Sequence, residues 1–358
     1  MEGVNALPHA APSEDLLVTS RVNLQVWLGE VVPGYGRLIN VQRLAGGRSN
    51  PTYRVTTATA DYALRRKPFG PLLPSAHAIE REYRLLKALR PTGFPAPSPI
   101  AFCDDAAIIG SSFYLMDWID GVSHWDGLMP NVPRPSRRPL YENLVATLAQ
   151  LHHVDWRALG LNDFGRPGNY CERQVVRWVQ QYRAVQTSRS ATIERLIAAL
   201  QGEAPPQLRT TIVHGDFRLD NVIYQPGGHA VAAVLDWELA TLGDPLADFA
   251  YLAMNWALPP DGQAGLAGEE LSALNIPDLD EITHLYCDAV GIGAQPDLDW
   301  YFAYNMFRLI SIIEGVKRRA LEGNAASDDA ERLAQRIPIL ADHACFYAGR
   351  WTSATRAP

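Results

Sequence analysis

Lysine is almost absent from this chain: Lys67, Lys87 and Lys317 are the three, and the other 29 of its 32 basic residues are arginine. Any phosphate chemistry must therefore lean on guanidinium groups, planar forks of donors rather than point charges. Cysteine is scarce too. Cys103, Cys171, Cys287 and Cys345 stand far apart with no Cys-x-x-Cys pair, which argues against a zinc site or a disulfide framework and for a reducing compartment. A positive surplus is missing, since 39 acidic residues outnumber the 32 basic ones and leave a net charge of -7. A nucleic-acid partner normally needs a basic face, so none is expected. No uninterrupted apolar run approaches the ~18 residues of a membrane span. The first residues are broken by Glu2, Pro8, Pro12, Glu14 and Asp15, without the basic and then apolar pattern of a signal peptide. The expectation is a cytoplasmic protein with no membrane partner and no oligomeric state specified by the sequence.

What is present is an ordinary globular composition, 47% hydrophobic and 20% charged over 358 residues, long enough for about two domains. Residues 1–37 read as an Ala- and Pro-rich arm and then one helix. In that helix Leu24, Trp27, Leu28 and Val31 recur at helical spacing up to Pro33-Gly34. Strand patterns follow at 38–41, 52–55 and 62–65. A helix carrying Ile79, Tyr83, Leu85, Leu86 and Leu89 comes next and stops at Pro91-Thr92-Gly93. A further strand over 112–116 runs into Asp117-Trp118-Ile119-Asp120-Gly121. Residues 122–139 read as a connection containing Pro and Arg. From Tyr141 onward helical patterns dominate, including 298–322 and 328–350, interrupted by apolar strands at 211–213 and 231–235. The pattern predicts an α+β chain: a β-rich lobe over 38–118, a hinge near 116–121 and a larger, mostly helical lobe over 119–358.

The strongest chemical signal is His214-Gly215-Asp216-Phe217-Arg218-Leu219-Asp220-Asn221, followed fifteen residues after Asn221 by Asp236-Trp237. Phosphoryl transfer to a hydroxyl needs a base near the acceptor, ligands for Mg²⁺ and cations around the moving group. Asp216 can be the base. Asn221 and Asp236 can be hard oxygen ligands for Mg²⁺, and Arg218 can face the developing negative charge. Any one of these acids alone could equally be a turn residue or a helix cap. Asp, Asn and Asp at this spacing, between two apolar strands, are better explained by chemistry.

Three weaker segments fit the same chemistry. Gly46 and Gly47, with Ser49 and Asn50, lie between two strands, where backbone amides and a hydroxyl can meet phosphates; a plain hairpin turn is the alternative. Over Tyr62-Ala63-Leu64-Arg65, alternation puts Ala63 and Arg65 on one face, and Tyr62, Leu64 and Arg66 on the other. That face suits a purine and its phosphates, with Glu82 as a partner for Arg65 unless the two form only an exposed salt bridge. The extended backbone of Met116 to Gly121 can hydrogen-bond an adenine edge.

On these residues the chain resembles the aminoglycoside phosphotransferase/choline kinase superfamily, with its two-lobed protein kinase-like fold: a small antiparallel sheet in the N-lobe and a mostly helical C-lobe. H-G-D-x-x-x-x-N and the later D-W are the specific anchors, and the likeness runs from about 38 to 350. It implies ATP and Mg²⁺ as cofactors, Asp216 as catalytic base, and Asn221 and Asp236 as metal ligands. It also implies Arg65 at the nucleotide-lysine position with Glu82 as its helix partner. Asp117 and Ile119 would give backbone contacts to adenine, next to Met116, and Asp248 would brace the catalytic loop. Gly46 to Asn50, Leu64 to Pro68 and Gly70 to His77 look most like the branch found with acyl-CoA dehydrogenases. Lysine is usual where Arg65 stands, so either Arg65 or Lys67, on the same face, would meet the phosphates.

The implied activity is transfer of the γ-phosphoryl group to a hydroxyl of a small molecule. A protein kinase is disfavoured, because Trp237-Glu238 follow Asp236 and no activation segment ending in Ala-Pro-Glu fits before Gly243. An inactive nucleotide-binding module and an aminoglycoside kinase are the alternatives. Arg134, Arg137 and Arg138, with Arg173 and Arg177, favour an anionic acceptor such as a hydroxyacyl-CoA if they line the cleft. Trp300, Tyr301, Tyr304 and Phe307 could wall the acceptor site, although core packing suits them better.

Overall fold

The computed structural model describes residues 20–44, 50–69, 78–202, 204–260, 264–322 and 327–355. The chain forms two compact units, Met1–Asp120 and Gly121–Pro358.

The first unit contains, in order, α1 (Arg21–Val31), β1 (Leu38–Arg43), β2 (Thr52–Thr57), β3 (Asp61–Arg66), α2 (Ile79–Leu89), β4 (Pro99–Cys103), α3 (Ala106–Ile109) and β5 (Phe113–Asp117). The strands make one antiparallel sheet in the order β1-β2-β3-β5-β4. Period-two alternation decides which side chains share a face. Tyr53, Val55, Leu64, Phe113 and Leu115 are buried together with Leu24, Trp27 and Leu28 of α1, and Trp27 meets Phe113 edge-on at 4.7 Å. Each such side chain contributes about 1.5–3 kcal/mol by leaving water. The opposite face carries Ala63 and Arg65, registered against Met116 and Tyr114 of β5. β4 escapes the sequence reading because prolines surround it. They are tolerated because β4 is the outermost strand of the sheet, where a missing N–H need not cost a ladder bond.

The second unit holds α4 (Arg134–His153), α5 (Tyr170–Val185), α6 (Ala191–Leu200), β6 (Thr211–Val213), β7 (Val222–Tyr224), β8 (Val231–Val234) and β9 (Thr241–Gly243). It continues with α7 (Pro245–Ala253), α8 (Leu271–Leu274), α9 (Leu279–Val290), α10 (Asp299–Leu321), α11 (Ser327–Ala334) and α12 (Arg336–Thr355). Its strands form two antiparallel ladders, β6–β9 and β7–β8. β7 and β9 are three residues each, too short for an alternating pattern to announce them. Helix α10 is the core element. Trp300, Tyr301, Tyr304 and Phe307 are all buried on it, Trp300 stacking on Tyr304 and Tyr301 donating to Asp244 Oδ2 at 3.0 Å. The aromatic run is core.

One expectation is corrected here. Residues 134–139, read from the sequence as the end of a connection over 122–139, belong to helix α4. Pro135 lies in the first turn, where its missing N–H has no intrahelical partner to lose, while Pro139 lies inside the helix and forgoes one i→i−4 bond. Arg138 consequently pairs across to Glu281 at 3.0 Å and along its helix to Glu142 at 3.8 Å. Arg137 Nε donates to the Val132 carbonyl. No helix among the described residues is long and apolar enough to cross a membrane.

Candidate active site

Strand β6 ends in His214-Gly215-Asp216, and the backbone turns sharply there. Gly215 has φ +80°, and a Cβ on it would come within 2.8 Å of the Leu239 carbonyl oxygen, so glycine is required. His214 is fully buried. Its Nδ1 accepts from the Asp216 amide at 3.2 Å, which leaves Nε2 as the protonated nitrogen that donates to the Leu235 carbonyl at 2.8 Å. Asp248 on α7 accepts from the amides of His214 at 2.7 Å and Gly215 at 2.9 Å, and His152 Nε2 lies 3.3 Å from the same carboxylate. Burial by itself would raise the Asp248 pKa, but the hydrogen bonds from the His152 side chain and the His214 amide outweigh it and hold the group below its ordinary value.

The Asp216 carboxylate is engaged on both oxygens. Tyr251 donates to Oδ1 at 2.7 Å and Asn221 Nδ2 to Oδ2 at 3.0 Å. Asn221 Nδ2 also reaches the Asp216 carbonyl at 2.9 Å. With its nitrogen committed in this way, the amide oxygen of Asn221 is the atom left for a cation. The β7–β8 ladder brings the second ligand close: the Leu235 amide donates to the Asn221 carbonyl at 2.8 Å, so Asp236 follows directly at the ladder's end. Asp236 adopts φ +64°, a left-handed conformation that aspartate tolerates better than most residues. One amide oxygen and one carboxylate fit Mg²⁺, which is typically held by one or two protein oxygens with phosphate and water completing the shell. Among the described residues no cluster of three or more His, Cys, Asp or Glu could hold a metal ion. Arg218 pairs with Asp220 and its Nε lies 3.8 Å from Asp216 Oδ1.

The first unit carries a cluster of its own. Arg65 Nε meets Glu82 Oε2 at 2.8 Å, with both side chains at least nine-tenths buried; this is not an exposed salt bridge. Tyr114 donates to Oε2 at 3.0 Å and Asn50 Nδ2 to Oε1 at 2.8 Å. Asn50, expected beside the loop glycines, thus anchors the end of that loop to α2. Gly46, Gly47 and Ser49 lie outside the described residues. Ala63 is buried on the Arg65 face. Arg66, on the other face, lies over the rings of Phe69 at 3.6 Å and Tyr53 at 6.0 Å. Met116 and Asp117 end β5, with the Asp117 amide donating to the Ser98 carbonyl at 3.0 Å, and Ile119 follows half-buried.

Three participants were not singled out from sequence. Tyr251 follows Asp248 by three residues, and that spacing was the available signal. His152 and Arg308 are distant in sequence and gave none. Arg308 donates through Nη2 to the Gly215 carbonyl and lies over the Tyr251 ring at 4.7 Å.

A family model described as the phosphotransferase enzyme family matches residues 40–285. Mouse acyl-CoA dehydrogenase family member 10 is 42% identical over 304 residues, covering 84% of this chain and 28% of that protein. This chain spans 28% to 42% of the length of the first curated relatives it matches. A solved structure from Ralstonia eutropha, provisionally named an aminoglycoside phosphotransferase, superposes with a TM-score of 0.83 at 37% identity, over 92% of this chain and 98% of that one. Aminoglycoside phosphotransferase APH(4)-Ia, in a ternary complex with AMP-PNP and hygromycin B, shares the fold with a TM-score of 0.58 at 15% identity, over 90% and 98% of the two chains.

Proposed function

The chain belongs to the phosphotransferase enzyme family and has its kinase-like α+β fold, and from that premise we propose that it transfers the γ-phosphoryl group of ATP to a hydroxyl of a small molecule. The observation that carries the reading is the Asp216 carboxylate, held on both oxygens beside Asn221, with Asp236 at the end of the adjoining ladder. Bound Mg·ATP supplies the phosphoryl group and the divalent charge that neutralises its oxygens. Asp216 takes the proton of the acceptor hydroxyl and orients its oxygen. Asn221 and Asp236 hold the cation. Arg218, about a third exposed, faces the charge of the moving group. In the first unit, Arg65 is kept extended by Glu82 and supplies the cation for the nucleotide phosphates. The bound AMP-PNP of APH(4)-Ia supports an adenine nucleotide as donor.

A hydroxyacyl-CoA-like acceptor is favoured over an aminoglycoside. The mouse relative is named for acyl-CoA chemistry. The run at 134–138 contributes little to this argument, because Arg138 is already paired with glutamates. The test is a screen for acceptor-stimulated ADP release with hydroxyacyl-CoAs and aminoglycosides. Stimulation by a hydroxyacyl-CoA is expected. Stimulation by aminoglycosides alone would restore the antibiotic-kinase reading, and Mg·ATP binding without phosphoryl transfer to any acceptor or to water would favour an inactive module.

A further inference from the structure

Helix α7 presents two residues to the catalytic loop. Asp248 and Tyr251 are three residues apart and so lie on one helix face. Asp248 takes the loop's backbone amides, while the Tyr251 hydroxyl goes to the side chain of Asp216. Tyr251 is itself buried. Against its ring lies the Arg308 guanidinium, also buried, which is 5.5 Å from the Trp178 ring as well and is tied to the Gly215 carbonyl. The residue before Asp216 is thus gripped through its carbonyl and its amide, and the carboxylate is gripped separately.

We infer that Tyr251, backed by Arg308, is a positioning residue for phosphoryl transfer. Its hydroxyl fixes the rotation of the Asp216 carboxylate so that a remaining lone pair faces the acceptor hydroxyl. The inference rests on reading Asp216 as the base. An ionised carboxylate offers about four acceptor directions. Tyr251 takes one on Oδ1 and Asn221 one on Oδ2, so the plane of the group is determined. Burial, with the Asp216 charge adding to it, pushes the Tyr251 hydroxyl well above the ordinary tyrosine range. It stays protonated and remains a donor throughout the working pH range.

The test is Tyr251→Phe, which removes one oxygen and keeps the ring over Arg308. Hydrolysis of γ-labelled ATP is followed with enzyme in excess and water as the acceptor, so no acceptor need be known. The rate constant should fall about 10- to 100-fold, the scale of a lost hydrogen bond to a charged group. Affinity for Mg·AMP-PNP by calorimetry should stay within about twofold, because a positioning group acts on the base and not on nucleotide. A purely packing role would leave the hydrolysis rate near wild type, and that result overturns the inference. Asp216→Asn is run alongside. If it hydrolyses ATP like wild type, the base assignment falls and this inference falls with it; if only Tyr251→Phe matches wild type, this inference alone falls. A crystal structure of Tyr251→Phe needs no turnover. The Asp216 carboxylate should be rotated with its Asn221 contact broken, and an unmoved carboxylate overturns the inference.

Discussion

Each unit buries a carboxylate, and the two are satisfied in different ways. Glu82 is met by side chains from three places in the chain, Arg65, Asn50 and Tyr114. Asp248 is met by two consecutive backbone amides and one imidazole. A carboxylate surrounded by side chains fixes where those side chains point, whereas one that takes amides fixes the backbone itself. The first unit is accordingly built to aim a guanidinium, and the second to hold a loop whose next residue is Asp216. The first arrangement can be varied one side chain at a time. The second cannot, because an amide has no substitute.

The largest effect that would test this contrast is Asp248→Ala. It strands two buried amides at about 1–3 kcal/mol each, so denaturant unfolding should show the second unit severely weakened. An unchanged midpoint would mean that the loop is held by something else. Asp236→Ala comes next: Mg·ATP affinity by calorimetry should drop about tenfold or more, the scale on which even outer partners of a metal act. Unchanged affinity would move the metal site elsewhere.

Arg65→Ala against Arg66→Ala sharpens the comparison from the other side. Arg65→Ala removes the cation of a buried pair, and ATP use should suffer far more than in Arg66→Ala, where a contact with aromatic rings worth about 0.5–2 kcal/mol is lost. Equal effects would show that the Arg65 face is not the functional one.

A smaller effect concerns pH. The folded pKa of Asp248 lies below its ordinary value of about 4, so its charged form stabilises the fold above that pH and the contribution fades as pH falls through the folded value. Replacing it with Asn should flatten the acid limb of a stability–pH curve, whereas an unchanged limb would assign that limb to other carboxylates. Smallest of all is Glu194→Ala, which breaks the surface pair with Arg183, both side chains about two-fifths exposed. Its unfolding midpoint should stay close to that of wild type, because a solvent-screened pair contributes little.

The legibility of the site in sequence follows the same contrast. The loop residues are contiguous in His214 to Asn221, so Asp216 and Asn221 could be read together as one candidate site, and Asp236 closes a strongly apolar strand. The Arg65–Glu82 pairing was legible through strand parity because β3 alternates cleanly between its faces. Asn50 turning to Glu82 was not, since a residue three places after two glycines reads as part of a phosphate loop. Arg308 was hidden by its distance from Gly215, and an arginine in an amphipathic helix carries no signature of its own. For the fold, alternation suits β2 and β3 and an apolar run marked β5, while prolines concealed both the edge strand β4 and the first turns of α4. Pro135 and the edge-strand prolines sit where a missing N–H costs little, whereas Pro139 lies inside α4 and gives up an intrahelical bond.

The most direct measurement of the central claim compares wild type with Asp216→Asn for phosphoryl transfer from γ-labelled ATP, alongside Mg·AMP-PNP affinity. A base orients the acceptor and does not hold nucleotide, so transfer should fall about 10²–10⁴-fold while affinity stays close to that of wild type. Transfer at near wild-type rates in Asp216→Asn would contradict the account.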